Sequence, residues 1–484
     1  MNRYNSVRFN FIMNFLLTVS NFIFPLITFP YASRVLQAQG VGAVTFATSN
    51  ISYFTMVGMM GIPTYGIRAC AKVREDRAKL SKTVQEIFFL NAIVTAFALL
   101  ALAVSVLTVE KMAQEKMLYL IMSSTLIFNV LGVEWLYKAL EKYSYITIRS
   151  ILFKLLSLIL LLLLVRSKGD YVIYGAITVL AGVGSNLMNF LNLRKLVTVQ
   201  PIRYLNLIQH IKPCLTFFLL TVSTTIYLNM DTSLLGFIKG DHQVGYYSAA
   251  VKVKQILVSV VTSLGAVLLP RLSFYHEQQK HMEFKLLVEK ALSFVFVLSV
   301  PLTLFFIIDA KESILFLSGT NFLPAILPMQ LLMPTVLFIG ISNLMGMQIL
   351  VPTQRERLVV ISTIIGAIVD VLLNIMMIPL FGAAGAAIVG SLAELTVVLV
   401  QLYFLRDLIL PMLKRIGLWK IALSSAAAII VTVLFKNTIS LRIFFMLVST
   451  GFIFFAIYGL GLLLTKEKFT NETLRSMLGR FKFK

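Results

Sequence analysis

The chain has 484 residues, 58% of them hydrophobic and 13% charged, with 43 Lys and Arg against 21 Asp and Glu for a net charge of +22. A mean hydropathy of +0.88 argues against a soluble enzyme or a nucleic-acid binder: the basic residues are spread over short gaps between apolar runs, where anionic lipid is their simplest partner. Cys70 and Cys214 lie far apart, so neither a disulfide framework nor a CxxC metal site is available.

Residues 9–33, 35–67, 87–109, 171–193, 313–354 and 443–465 carry no charge at all. A run of about 20 apolar residues crosses the roughly 30 Å hydrocarbon core as a helix. Fourteen spans are predicted, near 10–32, 42–63, 87–108, 117–138, 147–165, 171–193, 213–236, 246–268, 287–308, 327–350, 358–380, 385–405, 418–435 and 442–464. The first follows only Arg3 and Arg8 and exceeds the core of a cleaved signal, so it reads as a retained helix. The expected class is an all-α membrane protein.

Counted from an inside N-terminus, 31 of the basic residues fall in alternate segments and nine in the opposite set. Lys154, Lys252 and Lys254 make up the remainder and sit inside spans. Lys and Arg resist translocation, which places both termini in the cytoplasm.

Two stretches recur at similar offsets. Residues 28–47, TFPYASRVLQAQGVGAVTFA, are echoed by DTSLLGFIKGDHQVGYYSAA at 231–250, with Val41-Gly42 matching Val244-Gly245. DYVIYGAITVLAGVG at 170–184 is echoed by LFGAAGAAIVGSLAE at 380–394. Duplication of a six-helix unit gives parallel repeats, because an even number of spans starts each copy on the same side. The predicted organisation is a six-helix bundle over 1–200, a second over 201–410, and two further helices with a basic tail over 411–484. The end of that tail, 465–484, alternates basic with apolar residues, as an amphipathic surface helix or a loose basic segment would.

The chain resembles the polysaccharide flippase branch of the multidrug/oligosaccharidyl-lipid/polysaccharide exporter superfamily, often called Wzx-type. PLITFPYASRVL (25–36), GIPTYGIRACAKVRED (61–76), EWLYKALEKYSYITIR (134–149), VGYYSAAVK (244–252) and LFGAAGAAIV (380–389) carry the resemblance. It implies a fourteen-helix V-shaped fold of the MATE type in the bacterial inner membrane. It also implies flipping of undecaprenyl-pyrophosphate-linked oligosaccharide without nucleotide hydrolysis, beside a polysaccharide polymerase and export machinery. The residues agree: no P-loop GxxxxGK[ST] occurs, no cofactor is expected, and His276-Glu277 with His281 has the wrong spacing for a zinc site.

Charges inside spans are costly and point first to function. Lys252 and Asp231 lie at similar depth, roughly 8 Å from the outer end of neighbouring spans. They form either an ion pair locking the hairpin or, through Lys252, a contact to pyrophosphate. Lys254 points about 200° away around the helix from Lys252, so only one of the two faces a cavity. Lys154 in span five and Arg34 at the end of span one are further pyrophosphate candidates, with snorkelling and interfacial anchoring as the alternatives. Asp370 and Glu394, near mid-span, suggest a coupling pair, though burial against polar neighbours accounts for them equally well. Glu134 reads as a local pair with Lys138. Tyr31, Tyr65, Tyr246 and Tyr247 sit near span ends, where an interfacial belt is a stronger reading than sugar stacking.

Rival functions leave different marks. A cation-coupled drug exporter favours a carboxylate in the first bundle's cavity, yet no Asp or Glu precedes Glu75. A lipid II flippase carries several arginines in its first two spans, where this chain has only Arg34 and Arg68 at span ends. A polymerase or glycosyltransferase needs a large loop, and the loops here are short.

Overall fold

The computed structural model describes residues 7–198, 205–263 and 265–473. Every regular element among them is helical. The solvent dictates this: inside a bilayer only the chain itself can bond its backbone N–H and C=O groups, and a helix satisfies them within one segment. Ten helices among the described residues are long and apolar enough to cross a membrane. The number is twelve if two bent pairs, Ile208–Leu219 with Thr221–Lys239 and Thr320–Leu332 with Pro334–Leu350, each count as one span. The chain is a multi-pass membrane protein. Phe97 (67% exposed), Leu107 (73%) and Phe452 (75%) belong to the apolar surface that lipid covers.

The first element departs from the expected pair of spans joined by a loop. Val7–Met59 runs on as one helix, broken only at Gln37, which adopts φ 60 and ψ −174. The connection is thus compressed to a single residue in a left-handed conformation, which is unusual outside glycine. At the other end Gly61, at φ 72, makes the turn into Ile62–Lys72.

The chain divides into two compact units, Met1–Gly245 and Tyr246–Lys484. The similar stretches in the sequence led to an expected boundary near residue 200. The helix Ile208–Lys239, expected to open the second bundle, packs along Val7–Met59 and falls in the first unit. Within that unit Val7–Met59 also packs against Arg77–Thr108, Lys116–Gly132 and Tyr143–Leu164. Two apolar clusters fill it. One contains Ile51, Ala98, Leu118 and Met122; the other contains Ile62, Val84, Trp135 and Leu136. Several polar groups in this core are satisfied in pairs: Asn50 Nδ2 donates to Tyr119 Oη at 2.9 Å, and Asn91 Nδ2 to the Gly58 carbonyl at 2.9 Å. Each such bond matters because a buried orphan costs about 1–3 kcal/mol.

In the second unit Glu356–Phe381 pairs with Ala383–Arg415, and Leu418–Thr438 with Ile443–Leu464. The latter two, foreseen as an addition, pack on His281–Ile308 and are fastened near both ends. Near one, Lys436 Nζ reaches Asp309 at 3.1 Å and Glu312 at 2.7 Å. Near the other, Glu289 meets Lys468 at 3.2 Å and Arg415 at 3.8 Å. The rings of Phe454 and Phe455 lie against Phe305 between these fastenings. Pro201 and Arg203 of the linker, and the tail beyond residue 473, lie outside the described residues.

Candidate functional site

A cavity of about 580 Å³ lies inside the first unit, within the range typical of ligand sites. Its walls are stripes of small polar residues at helical spacing. Thr48, Ser52 and Thr55 come from Val7–Met59 at i, i+4 and i+7, and Thr125 and Asn129 from Lys116–Gly132 at i and i+4. Residues three, four or seven apart share one face of a helix, so each stripe is presented to the cavity by the helix itself. Thr221, Thr224, Thr225 and Asn229 supply the wall from Ile208–Lys239, and Thr178 that from Tyr171–Val179.

Two backbone irregularities shape the chamber. Ile208–Lys239 bends by 42° between Leu219 and Thr221, just where its lining stripe begins. Thr221 and Thr224 turn their hydroxyls back onto the carbonyls of Phe217 and Thr221, a competition with the helix ladder that bends helices. Opposite, Leu180–Gly184 is a π-helical turn whose Gly182 and Val183 line the cavity. Such bulges occur often at functional sites. A Cβ built on Gly182 would meet nothing within 4 Å, so the wall is open at that point.

Among the described residues the lining holds no charged and no aromatic side chain; Met56, Met59 and Met122 supply part of its apolar surface. The polar groups differ in how far they are satisfied. The hydroxyls of Thr48, Ser52 and Thr178 bond to carbonyls of their own helices. Thr55 Oγ1 is buried with no partner. The side chains of Thr125, Asn129 and Thr225 make no hydrogen bond to protein among the described residues.

The residues singled out from sequence lie elsewhere. Arg34 is exposed and donates from Nη1 to the Pro30 carbonyl of its own helix at 2.8 Å. Lys154 is buried, and its Nζ donates to Ser20 Oγ at 2.7 Å and to Asn21 Oδ1, so neutral groups of the first helix hold the cation. Asp231 is half-buried on Ile208–Lys239, and Lys252 is half-buried on Asp241–Thr262 in the second unit. Asp370 is buried beside Asn374 on Glu356–Phe381, and Glu394 is half-buried on Ala383–Arg415. Glu134 pairs with Lys138 at 2.9 Å. None of these lines the cavity of the first unit.

A second polar group escapes a reading of the sequence. Glu86 is 2% exposed and accepts from the Asn206 backbone N–H and from Gln209 Nε2, both at 2.9 Å. His210 Nε2 lies 2.9 Å from its Oε2, and Tyr65 Oη lies 2.6 Å from His210 Nδ1. This chain of contacts ties Ile62–Lys72, Arg77–Thr108 and the start of Ile208–Lys239 together. Arg149, last residue of the 134–149 segment, is also buried. Its guanidinium bonds the Ser185 carbonyl and lies 3.0 Å from Ser185 Oγ, anchoring the far side of the π turn.

Fold and cavity define a helical, multi-pass membrane protein whose N-terminal unit holds a mostly apolar chamber with neutral hydroxyl and amide groups in its walls. Residues 7–276, more than half of the chain, match the family described as polysaccharide biosynthesis protein, and the chain belongs to that family. It is similar to a Shigella dysenteriae protein named "Putative O-antigen transporter", 25% identical over 400 residues that cover 81% of this chain and 98% of the relative. An Escherichia coli K12 protein of the same name is 22% identical over 404 residues, covering 83% and 97%. Among solved structures the fold is similar to the lipid II flippase MurJ in an inward closed conformation, with a TM-score of 0.73 at 16% identity over 97% of this chain and 100% of that one. It is similar too to an inward-facing multidrug resistance MATE family transporter of the MOP superfamily, with a TM-score of 0.60 at 12% identity over 80% and 94%. At such identities the likeness to the two solved structures is one of fold.

Proposed function

We propose that the protein is a flippase, not an enzyme, that carries undecaprenyl-pyrophosphate-linked oligosaccharide across the bacterial plasma membrane by alternating access. Family membership sets the class, and one observation carries the choice within it. Among the described residues the polar groups that line the chamber of the first unit are hydroxyls and amides, with no carboxylate. A site for a cationic drug needs a negative partner in that low-dielectric space, whereas sugar hydroxyls need neutral donors and acceptors.

In this reading the chain crosses the membrane fourteen times, as two parallel six-helix repeats and two added helices. To the twelve spans recognised by length and composition, the break at Gln37 adds one by dividing Val7–Met59. Asp241–Thr262 adds the other, its hydropathy lowered by Lys252 and Lys254. Both termini face the cytoplasm, where the basic loops lie. Arg34, Lys154 and Lys252 are the proposed pyrophosphate contacts, and Asp231, Asp370 and Glu394 the ion-pair or coupling groups. Replacing Lys154 with Gln keeps a donor for Ser20 and Asn21 while removing the charge. Lower export at unchanged protein level is expected, and unaltered export would leave Lys154 a structural role only.

Deletion tests the whole reading. Undecaprenyl-linked oligosaccharide should accumulate on the cytoplasmic leaflet while sensitivity to cationic drugs stays unchanged. Normal polysaccharide export with new drug sensitivity would instead identify an exporter.

A further inference from the structure

Resting on the flippase reading, we propose that the chamber seats the sugar rings of the substrate and selects glycans that are uncharged there, with the diphosphate held outside it. Three observations converge on this assignment. Among the described residues the lining is without charge, so an acidic sugar drawn into it would exchange hydration for dipoles alone. Three half-buried polar side chains, Thr125, Asn129 and Thr225, line the space without bonds to protein among the described residues. They stand on two helices, Lys116–Gly132 and Ile208–Lys239, so the space offers unengaged donors and acceptors to a ligand from two sides.

The kind of group matters as much as its freedom. Each threonine hydroxyl can donate and accept, and the Asn129 amide offers two donors and one acceptor. Sugar hydroxyls have the same dual character, whereas phosphate and carboxylate oxygens only accept and call for Arg or Lys. Met59 and Met122 complete the match by covering the apolar C–H face of a ring with side chains that adjust to its shape.

The test uses the purified full-length protein in nanodiscs and two undecaprenyl-pyrophosphate oligosaccharides that differ only in a uronic acid replacing one hexose. Binding is read by native mass spectrometry. The neutral lipid should bind about tenfold or more better than the acidic one, a difference equivalent to about 1.4 kcal/mol. Asn129→Leu and Thr125→Val should each weaken the neutral lipid severalfold. Thr225→Lys should raise affinity for the acidic lipid and narrow the preference, a gain that misfolding cannot produce. Equal binding of both lipids by the unaltered protein, or variants indistinguishable from it, would overturn the proposal. If the protein binds the lipids without discriminating and still moves them across proteoliposomes, only the assignment of the chamber fails. If it neither binds nor moves either lipid, the flippase reading fails with it.

Discussion

Gly42 and Gly245, which occupy matching places in the similar stretches 28–47 and 231–250, are packed backbone to backbone with no room for a side chain on either. A Cβ on Gly42 would lie 1.7 Å from the Asp241 carbonyl oxygen and 2.9 Å from Gly245 N; one on Gly245 would lie 2.0 Å from the Ala38 carbonyl oxygen. The obstacles are main-chain atoms, which cannot rotate away. Lys111 reinforces the crossing by pairing with Asp241 at 3.0 Å.

Gly42→Ala and Gly245→Ala should therefore each destabilise the protein by at least the roughly 1–3 kcal/mol typical of overpacking. Gly182→Ala, whose added methyl meets open space, should leave stability near that of the parent. Thermal unfolding in detergent ranks the three. A neutral Gly42→Ala would show that the crossing is not as close as described.

The cluster around Glu86 gives a graded expectation. Glu86→Leu removes the shared acceptor of the Asn206 backbone N–H, Gln209 Nε2 and His210, and of these His210 is buried, where an orphan costs about 1–3 kcal/mol. Tyr65→Phe removes one hydrogen bond, a loss of about 0.5–1.5 kcal/mol. The unfolding temperature should fall much further for the first variant. Equal effects would mean that Glu86 is not the hub of the group.

Acid should loosen the start of Arg77–Thr108. The Asp76 carboxylate accepts from the Lys79 and Ala78 backbone N–H groups at 3.1 and 3.0 Å, which holds its pKa below the usual carboxylate value. A lowered folded-state pKa contributes stability that is present above the ordinary value of about 3.9 and lost as pH falls through the depressed one. Asp76→Ala should speed amide exchange at Ala78 and Lys79 at neutral pH, with the difference vanishing in strong acid. A difference that persists at low pH would rule out the cap as its source.

Topology can be tested with introduced thiols, because Cys70 and Cys214 are both buried and free. Lys285 and Lys311 are exposed, and the basic-loop rule puts the first inside and the second outside. An impermeant maleimide added to intact cells should label Lys311→Cys and spare Lys285→Cys. The reverse pattern would invert the orientation.

The helices were legible in the sequence because span length and apolarity are set by the bilayer, whatever packs around them. The single-residue break at Gln37 was not, since nothing in local composition separates it from a short loop. Intramembrane charge drew attention to Arg34, Lys154 and Lys252, while the chamber in the first unit is built from neutral groups. Its signal was present as Thr48, Ser52 and Thr55 at helical spacing. A hydroxyl that bonds its own helix is at home anywhere in a span, so the pattern alone was ambiguous. Glu86 and His210 stand 124 positions apart, one at the margin of a span and the other in the linker, and only tertiary packing joins them.

Because the chamber is faced by helix surfaces and not by loops, its chemistry can be rewritten one side chain at a time on a backbone that does not move. The side chains of Thr125, Asn129 and Thr225 make no hydrogen bond to protein among the described residues, so under the proposed assignment exchanging them would alter what is recognised without costing the fold such a bond. A lineage confronted with new surface sugars would need no new architecture, only a different set of small groups on three or four exposed steps of otherwise unaltered helices.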